Sequence, residues 1–505
     1  MMEITATESR SRKAALMAGV SLVLGILFNW LFYDKIPGIS VFLYILLILG
    51  GLFVLAYEFD VKIHKNIWWL AGPLLFFALM VFVRSSPFLN LFNIAASIFL
   101  LLLIAQYVVG KKFKDFELVH YLKTLLAPFQ FFPAMLRSAA DLLVWRGAVK
   151  KNQIFVQVLR GLVLALPILL LLTVLLSSAD LIFQKFVLDL INIDLQPRTI
   201  QQTIWAIIIG AVFLGAYTYI FLPKAKPHFY EEEKPEPKTL GSIESLMLLG
   251  GVNILFLFFL IIQITYLFGG NANISEFGFT YSEYARRGFF ELIGVTILSF
   301  LIVMAVDKYV YRHEGQAPWF KALSAALIIE VFVIMASAWQ RLSMYEDAYG
   351  FTQARFYSHI FVIWLGLVFL FLLYKIFIDK RESRLILNMF YSALAVLAIL
   401  NLLNPDAFIA KKNIALFAKS DRFDVGYVAQ SLSTDAVPEA VKLLNSENEK
   451  IRTSAGYHLY WRSEEMRDSS GYNNWQSANI SRLRAKKIIG EHRAELEKYR
   501  DAGAW

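Results

Sequence analysis

Glu330 is the polar residue whose position most directly suggests chemistry, because it lies at the midpoint of a long apolar segment. It stands in Ala325–Ser337, which contains no other charged residue. A charged side chain at the centre of a bilayer costs about 2.5 kcal/mol or more unless it is paired or lines a cavity. We therefore expect either a proton, cation or substrate site inside a helix bundle, or a protonated carboxyl group that hydrogen-bonds two helices together.

A second group of charged residues lies in the segment GFTYSEYARRGFFEL, residues 278–292. Glu283, Arg287 and Glu291 are spaced four residues apart, so on a helix they form one acidic–basic–acidic face. Arg286 and Arg287 would suit an anionic substrate such as a phosphate, because a guanidinium group can pair with two phosphate oxygens. The alternative is a charge-neutralised collar at the outer end of a transmembrane helix.

A third group lies in a predicted loop region between Trp339 and His359, in which Gly350 suits a helix stop and Thr352 a helix cap. Paired acids with a histidine suit acid–base catalysis, whereas paired arginines suit a lipid phosphate. Turn residues and tyrosines of the membrane interface would explain much of the same composition. The two loops fall on one side of the predicted topology and could wall a single pocket. The candidate residues of this third group are Arg341, Glu346, Asp347, Arg355 and His359.

The sequence lacks the local motifs of several common enzyme classes. It has no phosphate-binding Gly-Lys loop, no Gly-rich dinucleotide fingerprint and no nucleophile elbow. The seven histidines are never three or four residues apart and there is no cysteine, which excludes a local zinc site and thiolate chemistry. We predict no metal and no cofactor, and the sequence favours a non-enzymatic role without excluding an enzyme.

The composition indicates that these residues are held by a polytopic membrane protein. Of 505 residues, 58% are hydrophobic and only 18% are charged, and the mean hydropathy is +0.55. About 20 apolar helical residues cross a bilayer core, and we find eleven such runs. They lie near Ala14–Tyr33, Pro37–Tyr57, Asn66–Val83, Pro87–Val109, Phe155–Ser177, Ile200–Leu222, Ile243–Phe268, Gly288–Val306, Trp319–Trp339, Phe356–Ile378 and Leu385–Leu403.

The predicted fold class is therefore all-α, with about eleven transmembrane helices and a small C-terminal α-helical domain outside the membrane. We predict an N-terminal membrane subdomain at 1–222, with an interfacial amphipathic segment at 116–145, and a charged Pro-rich linker at 223–242. A second membrane subdomain follows at 243–403 and the helical tail at 404–505. In the tail, Asp435 before Val437-Pro438-Glu439 is typical of a helix start with a carboxylate cap.

The distribution of Lys and Arg predicts the orientation of the chain. With a cytoplasmic N-terminus, the inner segments before position 404 hold 25 basic residues and the outer loops hold 8. Cytoplasmic loops of membrane proteins are enriched in Lys and Arg. The net charge of +9 is thereby explained by topology rather than by nucleic-acid binding, and eleven spans place the tail outside the cytoplasm.

Several segments together resemble a bacterial multi-pass membrane family that is catalogued as a domain of unknown function, in the 4153/4173 group. The resemblance runs from the seventh predicted span to the C-terminus. It implies a protein of the bacterial cytoplasmic membrane and brings no established activity, ligand or catalytic residue. The segments that carry it are YSEYARRGFFEL at 281–292, YGFT at 349–352 with Arg355, NPDAFIA at 404–410, DAVP at 435–438 and NWQSANISR at 474–482.

Three functional hypotheses follow from these residues. The first is transport or flipping of a small anionic or lipid-linked solute, with Glu330 inside the bundle and arginines at the outer mouth. The second is a membrane-embedded transferase for a lipid-linked substrate at the outer leaflet, with Glu283, Glu346 or Asp347 as the base. The third is a non-catalytic envelope sensor or assembly partner whose tail binds another protein. Membrane lipids are expected partners in every case.

Overall fold

The structure is a computed structural model, and it describes residues 2–110, 116–145, 198–222, 241–267, 289–310, 317–417, 423–468 and 474–502, together with Leu176, Asp180 and Lys185. These residues form helices and no β-strand, and ten of the helices are long and apolar enough to cross a membrane. The predicted all-α, polytopic fold is confirmed. The eleventh predicted run, Phe155–Ser177, and most of the predicted linker lie outside the described residues.

The helices of the described residues are numbered here in chain order, and α1–α4 and α7–α12 are the ten candidate spans. Their bounds are α1 Met2–Phe32, α2 Ile39–Glu58, α3 Trp68–Val83, α4 Pro87–Val108, α5 Leu118–Leu125, α6 Ala127–Trp145, α7 Arg198–Phe221, α8 Ser242–Leu267, α9 Phe289–Tyr309, α10 Ala317–Tyr349, α11 Gln353–Phe377, α12 Glu382–Leu403, α13 Pro405–Phe417, α14 Val437–Ala440, α15 Glu449–Asp468, α16 Ile480–Glu491 and α17 Arg493–Leu496.

Small residues allow α1 and α7 to pack very closely. Ser21 and Gly25 on α1 face Ala206 and Gly210 on α7, so each helix contributes two small residues four positions apart. A Cβ atom on Gly25 would overlap the backbone oxygen of Ala206. Helices in lipid associate through this kind of backbone approach, because lipid tails remove the hydrophobic drive between apolar side chains.

The ends of the membrane helices gather on two faces. We define the tail face as the loops at 33–38, 84–86 and 350–352 together with the chain from Asn404 onward. The tail contacts these loops directly, since the amide of Ile39 donates to the carbonyl of Ala478 over 2.9 Å and the amide of Gln353 donates to the Tyr427 hydroxyl over 2.9 Å. At the opposite face, Lys308 pairs with Glu117 and with Glu382 at 3.2 and 3.6 Å.

The segment at 116–145 forms α5 and α6, which lie on that opposite face. Glu117 precedes α5 and pairs with Lys308 at the end of α9, while α6 packs on α1 and α7. Ser138 of α6 shares a buried hydrogen bond of 2.7 Å with Thr218 of α7. Large apolar side chains of this segment, such as Leu122 and Phe129, remain exposed, and its predicted position in the membrane interface stays a prediction.

A buried amide pair joins α4 to α12 near the tail face. The Asn93 side chain donates to the Asn401 side chain over 2.9 Å, and Asn401 donates back over 2.8 Å. Both residues are fully buried. The Arg84 guanidinium continues the contact by donating to the Asn401 carbonyl over 2.6 Å. These bonds attach the last membrane helix to the early part of the bundle.

The tail packs a core of its own and rests on the membrane helices. Val428, Leu432, Val437 and Leu459 are among its fully buried residues, and the same apolar cluster includes Leu89 of α4. The helix predicted after position 435 begins at Val437. Its predicted carboxylate cap is wrong, because the N-cap residue of this helix is Ala436, which makes no side-chain cap. Ser433 caps the preceding 3-10 turn, and Asp435 Oδ2 accepts the amide of Ser85 in the loop at 84–86.

Candidate functional site

The best-formed candidate site lies where α10 and α11 meet at the tail face. The segment between 339 and 359 is not a loop, because α10 continues to Tyr349 and α11 begins at Gln353. The predicted stop and cap are confirmed: Gly350 has φ of 79°, which glycine adopts without strain, and the Thr352 hydroxyl accepts the amide of Arg355. This tight turn places the last turns of α10 against the first turns of α11.

His359 lies between a carboxylate and a hydroxyl. Its Nδ1 is 3.2 Å from Glu346 Oε1 and its Nε2 is 3.4 Å from Ser343 Oγ. Glu346 and His359 are only 4% and 8% exposed. An ionised Glu346 accepts only, so Nδ1 carries the hydrogen and Nε2 is the acceptor that faces the serine. This assignment of the tautomer follows from the hydrogen-bond network.

The order nucleophile, imidazole and carboxylate is the arrangement that activates a serine hydroxyl. The imidazole removes the hydroxyl proton, and the carboxylate orients the ring and stabilises its charged form. Trp339 packs edge-on against His359 with ring centroids 4.1 Å apart, which limits the rotation of the imidazole. Ser343 is half-buried. It lies one helical turn after Trp339, whose side chain is exposed.

The two predicted acids of this segment, Glu346 and Asp347, point in different directions. Glu346 points inward to His359, whereas Asp347 is exposed and one position further around the helix. Arg355 is held by the Gly350 carbonyl and stacks over the Tyr345 ring, with its central carbon 3.9 Å from the ring centroid. The structure therefore brings together Glu346 and His359, and it directs Arg355 to an aromatic partner.

Glu330 lies on a different flank of α10. With 100° per residue, Glu330, Ser337 and Arg341 share one face of the helix, and Leu323 lies on that same face. The Leu323 carbonyl accepts a hydrogen bond of 3.2 Å from Asn253 of α8, so this flank faces α8, whereas His359 approaches from α11. The Glu330 atom Oε2 is buried and has no hydrogen-bond partner among the described residues.

The remaining predicted residues belong to the segment 283–291, which runs into the first turn of α9. Glu283, Arg286 and Arg287 lie outside the described residues, so the pocket predicted between the two loops stays a prediction. Glu291 is exposed in the first turn of α9, where a negative charge interacts favourably with the helix dipole. The described residues contain no group of three His, Cys, Asp or Glu that could hold a metal ion.

Ser343 is the functional candidate that the sequence did not indicate. A serine in a helix carries no motif of its own, and its significance depends on His359, which belongs to another helix. The available signal was the spacing of three residues between Ser343 and Glu346, which places both on neighbouring positions of one helix surface.

Comparison with known proteins identifies the family. The family described as "Domain of unknown function (DUF4153)" matches residues 71–443, and the chain belongs to it. The match begins within α3 and ends before α15, so it extends further towards the N-terminus than the sequence resemblance and stops short of residues 474–482. No curated protein matches the chain, and no solved structure matches it.

Proposed function

We propose that this DUF4153 member is a membrane-embedded acyl transferase or hydrolase that acts on a lipid-linked substrate at the tail face. The observation that carries the proposal is the position of His359, with Nδ1 at 3.2 Å from Glu346 and Nε2 at 3.4 Å from Ser343. A base oriented by a third group and in reach of a hydroxyl is the signature of an activated nucleophile.

The chemistry assigns one role to each of the three residues. His359 Nε2 takes the proton from Ser343 Oγ while that oxygen attacks the carbonyl carbon of an ester-linked acyl group. The new bond joins Ser343 to the acyl group, the original ester bond breaks, and His359 returns its proton to the departing alcohol. An acceptor alcohol or water then attacks the acyl-enzyme, and Glu346 stabilises the imidazolium in both steps.

The depth of the site favours a lipid substrate. Ser343 lies thirteen residues beyond Glu330, which is about 20 Å along the helix axis. Half of a bilayer core measures about 15 Å. With Glu330 near the midplane, Ser343 therefore stands at the level where the ester groups of membrane lipids lie. Trp339 and Tyr345 flank the site, and such residues concentrate at this interface.

The test is the formation of an acyl-enzyme in the purified protein, reconstituted in lipid nanodiscs. We expect a stoichiometric burst of p-nitrophenol from a p-nitrophenyl acyl ester and an acyl mass adduct on Ser343. Ser343→Ala abolishes both, and His359→Gln and Glu346→Gln slow the burst by about 10²-fold or more, because general base catalysis contributes about 10²- to 10⁴-fold.

The matched control for this experiment is Ser337→Ala, because Ser337 is a buried serine of the same helix that lies on the α8 flank. It keeps the full burst. A burst that persists in Ser343→Ala, or an adduct on another residue, contradicts the proposal.

Transport of an anionic or lipid-linked solute is a second candidate, and it depends on a different observation. The Glu330 atom Oε2 is buried without a hydrogen-bond partner among the described residues, and an intramembrane carboxyl of this kind suits a proton or cation pathway. The test is solute-coupled proton flux in proteoliposomes, where Glu330→Gln removes the flux. Full flux in that variant contradicts the role of Glu330.

The proposal includes an orientation. The excess of Lys and Arg in the predicted inner segments supports a cytoplasmic N-terminus in a bacterial cytoplasmic membrane, with the tail face outside. An accessibility assay with a membrane-impermeant reagent on single cysteines, introduced at Asp347 and Arg381, tests it, because the chain has no native cysteine. The envelope-sensor alternative has less support, because the tail packs on the membrane helices.

A further inference from the structure

A cavity of about 530 Å³ lies at the tail face, away from the α10–α11 site. The end of α1, the start of α7 and the tail residue Asn474 line it. No local sequence pattern connects these three segments, because they lie more than 160 residues apart from one another. None of the functional proposals above uses this cavity.

The charges around the cavity favour an anion. Lys35 and Arg198 both line it, and Asp34 is the acid among its lining residues. Arg198 pairs with Asp34 at 2.7 Å. Burial lowers the pKa of Lys35, and the positive charge of Arg198 lowers it further. Two cations that repel each other beside one carboxylate leave a net positive charge, which a phosphate group would neutralise.

The uncharged side chains of the cavity suit a ligand with hydroxyl groups. The Asn29 amide nitrogen donates to the Gln202 carbonyl over 2.9 Å, while its oxygen Oδ1 is buried without a partner among the described residues. That oxygen lies beneath the cavity surface, whereas the amide side chains of Gln202 and Asn474 line the cavity and are of a type that pairs with hydroxyl groups. Trp30 lines the cavity and packs against Trp475 of the tail, with ring centroids 5.3 Å apart.

We infer that this cavity binds a sugar phosphate, either as a soluble molecule or as the headgroup of a lipid. Lys35 and Arg198 bind the phosphate, and the amide side chains of Gln202 and Asn474 pair with the sugar hydroxyls. The half-exposed indole rings of Trp30 and Trp475 pack against the apolar face of the sugar ring. Because a tail residue lines the cavity and Trp475 packs at its edge, docking of the tail completes the site.

The inference is tested by titrating the full-length protein in phosphatidylcholine nanodiscs with glucose 1-phosphate and with inorganic phosphate, by calorimetry. We expect glucose 1-phosphate to bind at least about tenfold more tightly than inorganic phosphate. The double substitution Lys35→Gln/Arg198→Gln weakens it at least about tenfold, because each removed cation takes away a charge-assisted hydrogen bond. Trp475→Ala weakens glucose 1-phosphate and leaves inorganic phosphate unchanged.

The control variant is Arg381→Gln, since Arg381 is also an exposed arginine paired with a neighbouring aspartate, Asp379 at 2.9 Å, outside the tail face. It binds like the wild type. Adding phosphatidylinositol to the nanodiscs identifies the source of the ligand: loss of glucose 1-phosphate binding assigns the site to a lipid headgroup, and unchanged binding assigns it to a soluble sugar phosphate. Absence of binding, equal affinity for inorganic phosphate, or unchanged binding in the double variant overturns the inference. Failure of the acyl-enzyme test leaves it intact.

Discussion

Asp435 fastens the tail to the loop at 84–86, so its removal should loosen the tail. Its Oδ2 accepts the amides of Ser85 and Ser86 over 2.8 and 3.3 Å and the Ser85 hydroxyl over 3.1 Å. Its Oδ1 lies 3.7 Å from Arg84, and the Asp435 side chain is 3% exposed. One buried carboxylate therefore satisfies several groups of the loop at 84–86 and carries the charge that balances Arg84.

The expected cost of Asp435→Ala follows from these partners. A hydrogen bond to a charged group contributes about 1.5–3 kcal/mol, and removing one member of a buried ion pair costs about 3–5 kcal/mol. These contributions share atoms and do not add, so we expect a loss of about 3–5 kcal/mol in the free energy of tail docking. At about 1.4 kcal/mol per factor of ten, the undocked population rises by about 10²-fold to about 4 × 10³-fold.

The measurement is hydrogen–deuterium exchange of the full-length protein in nanodiscs, read on a peptide that contains the amides of Ser85 and Ser86. In Asp435→Ala we expect exchange of these amides to accelerate by about 10²-fold or more. The control is Glu439→Gln, which removes an exposed ion pair with Lys442 and should shift exchange by less than about threefold, since such pairs contribute about 0–1 kcal/mol. Exchange in Asp435→Ala that matches the control refutes the reasoning.

Three further predictions concern the bundle and the tail. Asn401→Leu lowers the free energy of unfolding by about 1–2 kcal/mol, because the Asn93 side chain loses its buried hydrogen-bond partner. The double variant Asn93→Leu/Asn401→Leu recovers part of this loss. An equal loss in the double variant would contradict a stabilising Asn93–Asn401 hydrogen bond. Gly25→Val prevents the close approach of α1 to α7, so we expect loss of folded protein in size-exclusion chromatography. Burial lowers the pKa of His458 from 6.5, so the unfolded tail binds the proton more readily. The free energy of unfolding of the tail is then highest above about pH 6.5 and decreases as the pH falls below that value. In His458→Gln we expect a smaller decrease over the same pH range.

The sequence predicts the ten candidate spans of the described residues, but it does not predict which of their side chains meet. Long apolar runs identify membrane spans because the bilayer sets their length. The end of α10 was predicted ten residues early, since Gln340 and Arg341 end the apolar run although no helix breaker occurs before Gly350. Gly350 and Thr352 were interpreted correctly because their roles are local.

The candidate site was predictable only in part, because a sequence pattern shows local roles but not contacts between helices. Glu346 and His359 were selected for their chemistry, and their contact depends on the turn at Gly350, which the sequence shows. Ser343 and the partners of Asp435 were missed, because each contact joins distant positions that no local pattern connects. Asp is one of the residues preferred as a cap at a helix start. In this fold the Asp435 carboxylate instead accepts the amides of Ser85 and Ser86 in the loop at 84–86.

The central claim, that His359 and Glu346 activate Ser343, is tested most directly by labelling with a fluorophosphonate. This reagent reacts with activated serine hydroxyls whatever the natural substrate is, and peptide mass mapping locates the adduct. The account predicts one adduct per chain on Ser343, formed about 10²-fold more slowly in His359→Gln and at the wild-type rate in Ser337→Ala. An unlabelled Ser343, or labelling at an equal rate without His359, would contradict it.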